Sequence, residues 1–423
     1  MGTSATRSEN GEQALFRVRT VTAFVNFRPS FFPIDSRPSS ELSRHIIRCA
    51  EVLQRVQLEL ENGGYEVQTI RIATNPFGEW LHDGGDPSHM TKTASHRLVT
   101  LASLLAEHDI QFCSLGPAET IEETMTLCPL IIAASPCFSC STNVTDMKSA
   151  TAASQCILAI SKLDVAPYLK GGLGNFRFCA AASCKPFIPF FPAAKSLQIN
   201  DDGLVGIALG LENGSLAKSL LKESKSIGNI KTVFRNGVAS VLLPLQTISE
   251  QVSNELNCPY FGIDSSLNPS LDTGGSVAEA IETLEEVRGN FGGRGTLAAA
   301  SAITTSLQSL PGIKLTGYCG LMLPVCEDTR LSQLASVDDP ANRLRISDIL
   351  SISSVCGVGV DTIPIPGDCA EAELASLVLD VAGVAARWDK SLSCRVFPVP
   401  GRVEGETTDF DSPFLCNCRV FSL

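Results

Sequence analysis

The chain opens its folded part with Val18 to Val25, a run dominated by β-branched residues, and this run predicts a strand. Arg28 to Pro38 is interrupted by prolines and reads as a loop. Leu42, Ile46, Cys49, Leu53, Val56 and Leu60 then recur at the helical period. Ser39 or Ser40 is placed to cap the start of that helix, and Gly63-Gly64 to end it. Tyr65 to Ala73 returns to a strand-like pattern. A strand, a helix and a strand in this order favour a parallel or mixed sheet. The alternation continues. Helices are predicted at Met90–Glu107, Ser149–Lys162, Ile248–Asn257, Val277–Arg288, Thr296–Leu310 and Ala372–Arg387. Strands are predicted at Leu130–Ala134, Phe176–Ala180, Leu204–Ala208, Ala239–Leu243, Phe261–Ile263, Leu321–Val325 and Cys394–Val399. No fixed-period repeat and no Gly/Ser linker divides the chain. A polar tail over residues 1–15 is expected to be disordered, followed by a single α/β domain over residues 16–423.

Composition narrows the function. With 423 residues, 44% of them hydrophobic and 18% charged, the chain can bury a sizeable core. A formal net charge of −12 repels phosphate backbones and argues against a nucleic-acid partner. An anionic ligand would therefore need a local basic or amide-lined pocket. The 16 cysteines are scattered singly in apolar runs, as in Leu127-Cys128-Pro129 and Val355-Cys356-Gly357, which reads as buried, reduced thiols in a cytoplasmic protein. No apolar run reaches the length of a membrane span, and the first residues have no secretory h-region. Gly2 and Thr6 match a loose myristoylation pattern that chance alone often produces.

A set of segments in fixed order carries a family resemblance. They include Val18 to Thr22, Gln68 to Phe77, Gly172-Leu173-Gly174-Asn175-Phe176-Arg177-Phe178 and Pro189 to Ala194. Further along come Phe261 to Leu267, Gly293 to Ala300, Leu323 to Asp328, Val355 to Asp368 and Val399-Pro400-Gly401. Spanning residues 18 to about 410, this set resembles the family called domain of unknown function 711, also uncharacterised protein family 0210. The resemblance implies a ten-stranded α/β barrel like that of pyruvate formate-lyase, with surrounding helices. It does not imply radical chemistry, because Phe397 to Arg402 holds a glycine without the neighbours of a radical loop. Fold kinship by itself assigns no activity.

Within these segments Cys356 is the thiol of most interest. Gly357 and Gly359 beside it would let a ligand approach the backbone, and the pyruvate formate-lyase relatives use a cysteine inside the barrel. The competing reading is a core cysteine in a Val-rich strand. Asp361, Glu327, Asp264 and Asp368 lie at strand ends, where a carboxylate in a partly dry mouth could act as general acid or base, or several could hold Mg²⁺ or Ca²⁺. Their competing role is to cap helices and turns. Arg71, Asn75, Asn175 and Arg177 form a polar set suited to a carboxylate or phosphate. Arg71 lies inside an apolar strand and needs a partner, either a ligand or an internal carboxylate such as Glu327 or Asp264. Gly295 and Thr296 open an Ala-rich helix and could touch an anion, although no nucleotide P-loop ending follows.

Other features carry less. All five histidines fall before residue 110 and suggest no metal site. Cys137 and Cys140 have Cys-x-x-Cys spacing without a second pair, and Phe187 to Phe191, among prolines, reads as a rigid wall that could line an apolar pocket. The set as a whole suits an enzyme acting on a small, anionic organic molecule. Lyase or isomerase chemistry fits better than hydride transfer, because no dinucleotide fingerprint follows the first strand. No cofactor is identified. The alternative is a non-catalytic small-molecule binding or sensor protein on the same scaffold, and a homo-oligomer is compatible with a fold of this size.

Overall fold

A computed structural model describes residues 14–32, 39–197 and 203–423. The tail expected over residues 1–15, the Gly2 pattern and the end of the proline-broken loop lie largely outside the described residues. The strands are β1 (Arg17–Asn26), β2 (Ile70–Thr74), β3 (Phe112–Ala118), β4 (Phe138–Asn143), β5 (Phe178–Ala182), β6 (Gly203–Glu212), β7 (Tyr260–Asp264), β8 (Gly359–Pro366) and β9 (Leu392–Val399). The first helices are α1 (Ser40–Asn62), α2 (Pro87–Glu107), α3 (Ile121–Ala134), α4 (Met147–Ser161), α5 (Gly214–Ser224) and α6 (Ile230–Glu255). They are followed by α7 (Val277–Ile281), α8 (Thr296–Leu307), α9 (Thr329–Ala335), α10 (Ile346–Ser353) and α11 (Glu371–Trp388).

Local chemistry sets several of these boundaries. Ser39 Oγ accepts the Leu42 N–H at the start of α1, and the six expected stripe residues are all buried. Thr120 and Glu123 form a reciprocal capping box at the start of α3. That helix runs on through Leu130–Ala134, which the apolar pattern had suggested as a strand. Ala239–Leu243 likewise belongs to the long helix α6, whose start at Ile230 lies well ahead of the expected Ile248. A short apolar run looks the same in a buried helix and in a strand, and here the flanking turns of helix decide. The helix expected over Val277–Arg288 stops at Ile281 and gives way to turns.

The strands form one mixed sheet of nine in the order β7-β6-β1-β2-β3-β4-β5-β9-β8. β1 to β5 run parallel, and antiparallel joins at β1–β6 and β5–β9 attach a parallel pair on each side. Among the described residues the sheet does not close, so the ladder departs from the expected ten-stranded barrel. Residues 315–321 lie beside β7 through two isolated parallel bridges, Ile263 with Leu315 and Leu267 with Leu321. Left-handed backbone at Gly317 (φ 88°) and Cys319 (φ 49°) breaks the extended run there, and Leu321–Val325 makes no strand. Helices α1, α3, α4, α6 and α11 pack on strands of the sheet around an apolar core.

The other face is crossed by residues 183–197. Thr22 Oγ1 donates to the Pro189 carbonyl (2.9 Å), Ser114 Oγ to that of Ala194 (2.9 Å), and Ser196 N to that of Thr74 (2.8 Å). Small strand residues, Ala73 and Ala208, make room for Phe187 and Phe191 beside Phe24. The Pro/Phe-rich run is thus a wall inside the fold. Among the described residues no helix is long and apolar enough to cross a membrane.

Gly359 joins β8 to β9. Its φ is 111°, and an added Cβ would lie 2.1 Å from the Ser393 carbonyl oxygen. Gly359→Ala is expected to cost roughly 3 kcal/mol, read as a fall in the urea midpoint. Gly383→Ala, within α11 and with open space around it, should be neutral or slightly stabilising. Equal midpoints for the two variants would contradict this account of the β8–β9 join.

Candidate functional site

A cavity of about 1330 Å³ lies where β1 to β5 begin and β7 ends. Its outer rim holds exposed residues such as Glu66, Lys170, Asp409 and Asp411, so it opens to solvent. Its walls include aromatic rings, with Phe112, Phe176, Phe190, Phe191 and Tyr318 among them. Four arginines face into this space, from β1 (Arg19), β2 (Arg71), the turn before β5 (Arg177) and β9 (Arg395).

Two β-bulges help to aim the charges. The register between β1 and β6 slips across Arg19, and that between β8 and β9 slips just after Asp361. Bulges of this kind re-aim side chains. Before the second slip Asp361 sits directly opposite Arg395 on the neighbouring strand. Arg395 Nε donates to Asp361 Oδ1 (2.5 Å) and Nη2 to Oδ2 (3.1 Å), a forked pair with both residues less than 10% exposed. The same Nη2 donates to Glu327 Oε1 (2.9 Å), and the guanidinium lies 5.1 Å from the Phe176 ring centroid. Burial opposes the Arg395 charge, but Asp361 and Glu327 together carry its pKa above the ordinary arginine value. Burial pushes the Glu327 carboxyl up, against the pull of Arg395 and with the help of the Asp361 charge. Both oxygens of Asp361 are thus engaged, whereas Glu327 Oε2 has no donor among the described residues.

The other guanidinium groups differ in how fully they are satisfied. Arg19 donates to Glu212 (2.9 Å) and Gln68 (3.0 Å). Arg177 donates to the carbonyls of Ile132, Ser135 and Phe138, which closes the C-terminal end of α3, and stacks on Tyr168. Burial lowers its pKa to about 10. Arg71 donates Nε to Thr69 (2.9 Å), and its guanidinium lies 5.3 Å from the Phe112 centroid and 5.1 Å from that of Phe191. No carboxylate among the described residues pairs with it. Burial, with the nearby Arg19 charge, lowers its pKa to about 9, so it stays a cation at neutral pH.

The remaining sequence candidates lie elsewhere. Cys356 is buried beside a second cavity of about 370 Å³, which it shares with Thr304, Trp388 and Lys390 but not with Asp361. Its sulfur accepts the Leu321 N–H, and burial pushes the thiol up to about 11. Tyr318 lines both cavities. Asp264 accepts N–H groups from Ser266, Tyr318 and Cys319 and so holds the turn at Gly317. Burial raises its pKa against those donors. Asn75 pins Phe27, and Asn175 donates to the Ile157 carbonyl. Gly295 (φ 88°) turns the chain into α8, where Thr296 Oγ1 accepts the Gly292 N–H. Asp368 is exposed in the turn after β8. Of these, Cys356, Asp264, Asn75, Asn175, Gly295, Thr296 and Asp368 do not line the large cavity. Among the described residues no group of three or more His, Cys, Asp or Glu side chains is placed to hold a metal ion. All 16 cysteines are free thiols, Cys137 and Cys140 included.

Sequence reasoning missed Arg19 and Arg395. Arg395 had the same signal as Arg71, a charge inside an otherwise apolar strand-like run, and the same rule would have found it. Its pairing with Asp361 depends on the register of two strands and has no local signature.

Comparison with known proteins places the chain's sequence in a wider group. A family model described as "Uncharacterised ACR (DUF711)" matches residues 12–411. The chain is 26% identical to a UPF0210 protein of Pyrobaculum islandicum, over 94% of its own length and 89% of the relative's. It is 25% identical to one of Oenococcus oeni, over 93% and 88%.

Glu327 gives a pH prediction. Its folded pKa lies above the ordinary Glu value of 4.5, so its contribution to stability is complete below that value and is lost as pH rises through the folded pKa. Across about pH 4 to 8 the urea midpoint of the wild type should fall relative to Glu327→Gln. Parallel profiles would contradict the assignment.

Proposed function

The chain belongs to the DUF711 family, and on the geometry of its large cavity we propose that it is an enzyme of lyase or isomerase type acting on a small organic acid. One observation carries this reading: Arg71, a cation without a carboxylate partner among the described residues, and Glu327, a carboxyl raised by burial, line the same partly dry space. Arg71 anchors the acid group between two phenyl rings. Glu327 Oε2 removes or delivers a proton on the carbon next to that group, and the developing negative charge is met by the nearby guanidinium groups. Arg395 positions Glu327, and Asp361 keeps Arg395 in place through the forked pair. Cys356 has no part in this chemistry. On this reading the fold is a variant of the pyruvate formate-lyase barrel, with residues 315–321 in the place of a tenth strand.

The rival reading is a binding or sensor protein, and it draws support from Arg395 already satisfying Asp361 and one oxygen of Glu327. Proton exchange separates the two. 2-Hydroxybutyrate, phenylacetate, 3-phenyllactate and mandelate, each with a C–H next to the carboxylate, would be incubated with the protein in D₂O and followed by proton NMR. Exchange of a C–H next to the carboxylate, above the spontaneous rate, is expected for at least one of them. Glu327→Gln should slow it by roughly 100-fold or more. Saturable binding of these acids without any catalysed exchange would replace the enzyme reading with the sensor reading.

A further inference from the structure

The guanidinium donors left unspent in the large cavity narrow what it can hold. This step rests on the reading of the cavity as an anion site. Arg395 is engaged by Asp361 and Glu327 and, through Nη1, by the Phe176 carbonyl. Arg19 is engaged by Glu212 and Gln68, and Arg177 by three backbone carbonyls. Arg71 is left as a cation with no carboxylate partner among the described residues. Arg177 also lacks a carboxylate partner, but both of its Nη groups are spent on those carbonyls, so among the described residues Arg71 is the cavity guanidinium whose two Nη groups make no hydrogen bond, a fork for one anionic group. A second or third charge on the ligand would meet Glu327 and Asp361 and be repelled.

Shape points the same way. The cavity is about 1330 Å³, which is larger than the roughly 300–1,000 Å³ usual for drug-sized ligands. A two- or three-carbon acid would leave most of it to water. The rings of Phe112 and Phe191 flank Arg71, and Phe190, Phe176 and Tyr318 extend the apolar surface beyond them. Aromatic walls reward burial of apolar area and ring stacking.

We infer that the ligand is an amphipathic monoanion: one carboxylate, held by the fork of Arg71, on an apolar body of aromatic size. Nucleotides, sugar phosphates and di- or tricarboxylates are disfavoured by the single fork and by the carboxylates of Glu327 and Asp361 beside it, and the smallest monocarboxylates by size.

Isothermal titration tests this with named probes at low ionic strength: 1-naphthoate, the neutral 1-naphthamide, acetate and citrate. Naphthoate should bind once per chain, roughly 30-fold or more tighter than each of the other three. Arg71→Gln should lower naphthoate affinity by a similar factor and leave naphthamide unchanged. If Arg71→Gln does not fold, Arg71→Lys keeps the charge and loses the fork, and it should weaken naphthoate at least several-fold. Citrate or acetate binding more tightly than naphthoate, with dependence on Arg71, would overturn the ligand class and leave the anion site standing. Naphthoate and naphthamide binding equally would overturn the single-charge argument. If no anion binds, the ligand class and the anion site fail together.

Discussion

A guanidinium group cannot be left dry without a partner, and this constraint organises the interior of the molecule. An isolated charge moved into an apolar environment costs many kcal/mol unless it is paired and hydrogen-bonded. The sheet turns Arg19, Arg71, Arg177 and Arg395 toward one space. Three of the four are met from within the chain, by carboxylates, an amide or helix carbonyls. The fourth, Arg71, has a hydroxyl and two phenyl faces, which soften the cost without cancelling the charge. Natural cores rarely keep such an arrangement without a use for it.

The rest of the fold keeps that space open and aimed. The segment over residues 183–197 fills the sheet face near its middle, hydrogen-bonded to Thr22, Ser114 and Thr74. It leaves the cavity at one end, with Phe190 and Phe191 as its inner wall. Asp264 fixes the turn that carries Tyr318, which separates the large cavity from the small one beside Cys356. The carboxylates and arginines of the site therefore sit on strands and hydrogen-bonded turns, which hold geometry better than free loops do.

Much of this was legible in the sequence, though unevenly. The stripe of α1, its Ser39 cap and the Gly63 stop are local signals, and local signals decide helices. The alternation of helices and strands gave the α/β class. Leu130–Ala134 and Ala239–Leu243 went astray because five apolar residues carry no period of their own. Arg71 was recognisable as a buried charge in need of a partner, and Glu327 and Asp361 as strand-end acids. What the sequence could not reveal was long-range: the register that sets Asp361 opposite Arg395, and the turn geometry that puts Cys356 against Leu321 in another cavity. Arg177 and Asp264 looked like ligand-binding residues, yet each is held by backbone groups that only the folded chain brings near.

The central claim is that Arg71, alone among the cavity's arginines in the contacts of the described residues, keeps both Nη groups for an anion. Diffraction at the bromine absorption edge from crystals soaked in sodium bromide tests it directly. An anomalous peak is predicted within hydrogen-bond reach of the Arg71 guanidinium, between the rings of Phe112 and Phe191, and it should vanish in Arg71→Gln. Bromide seated on Arg177 or Arg395 with none at Arg71 would contradict the account.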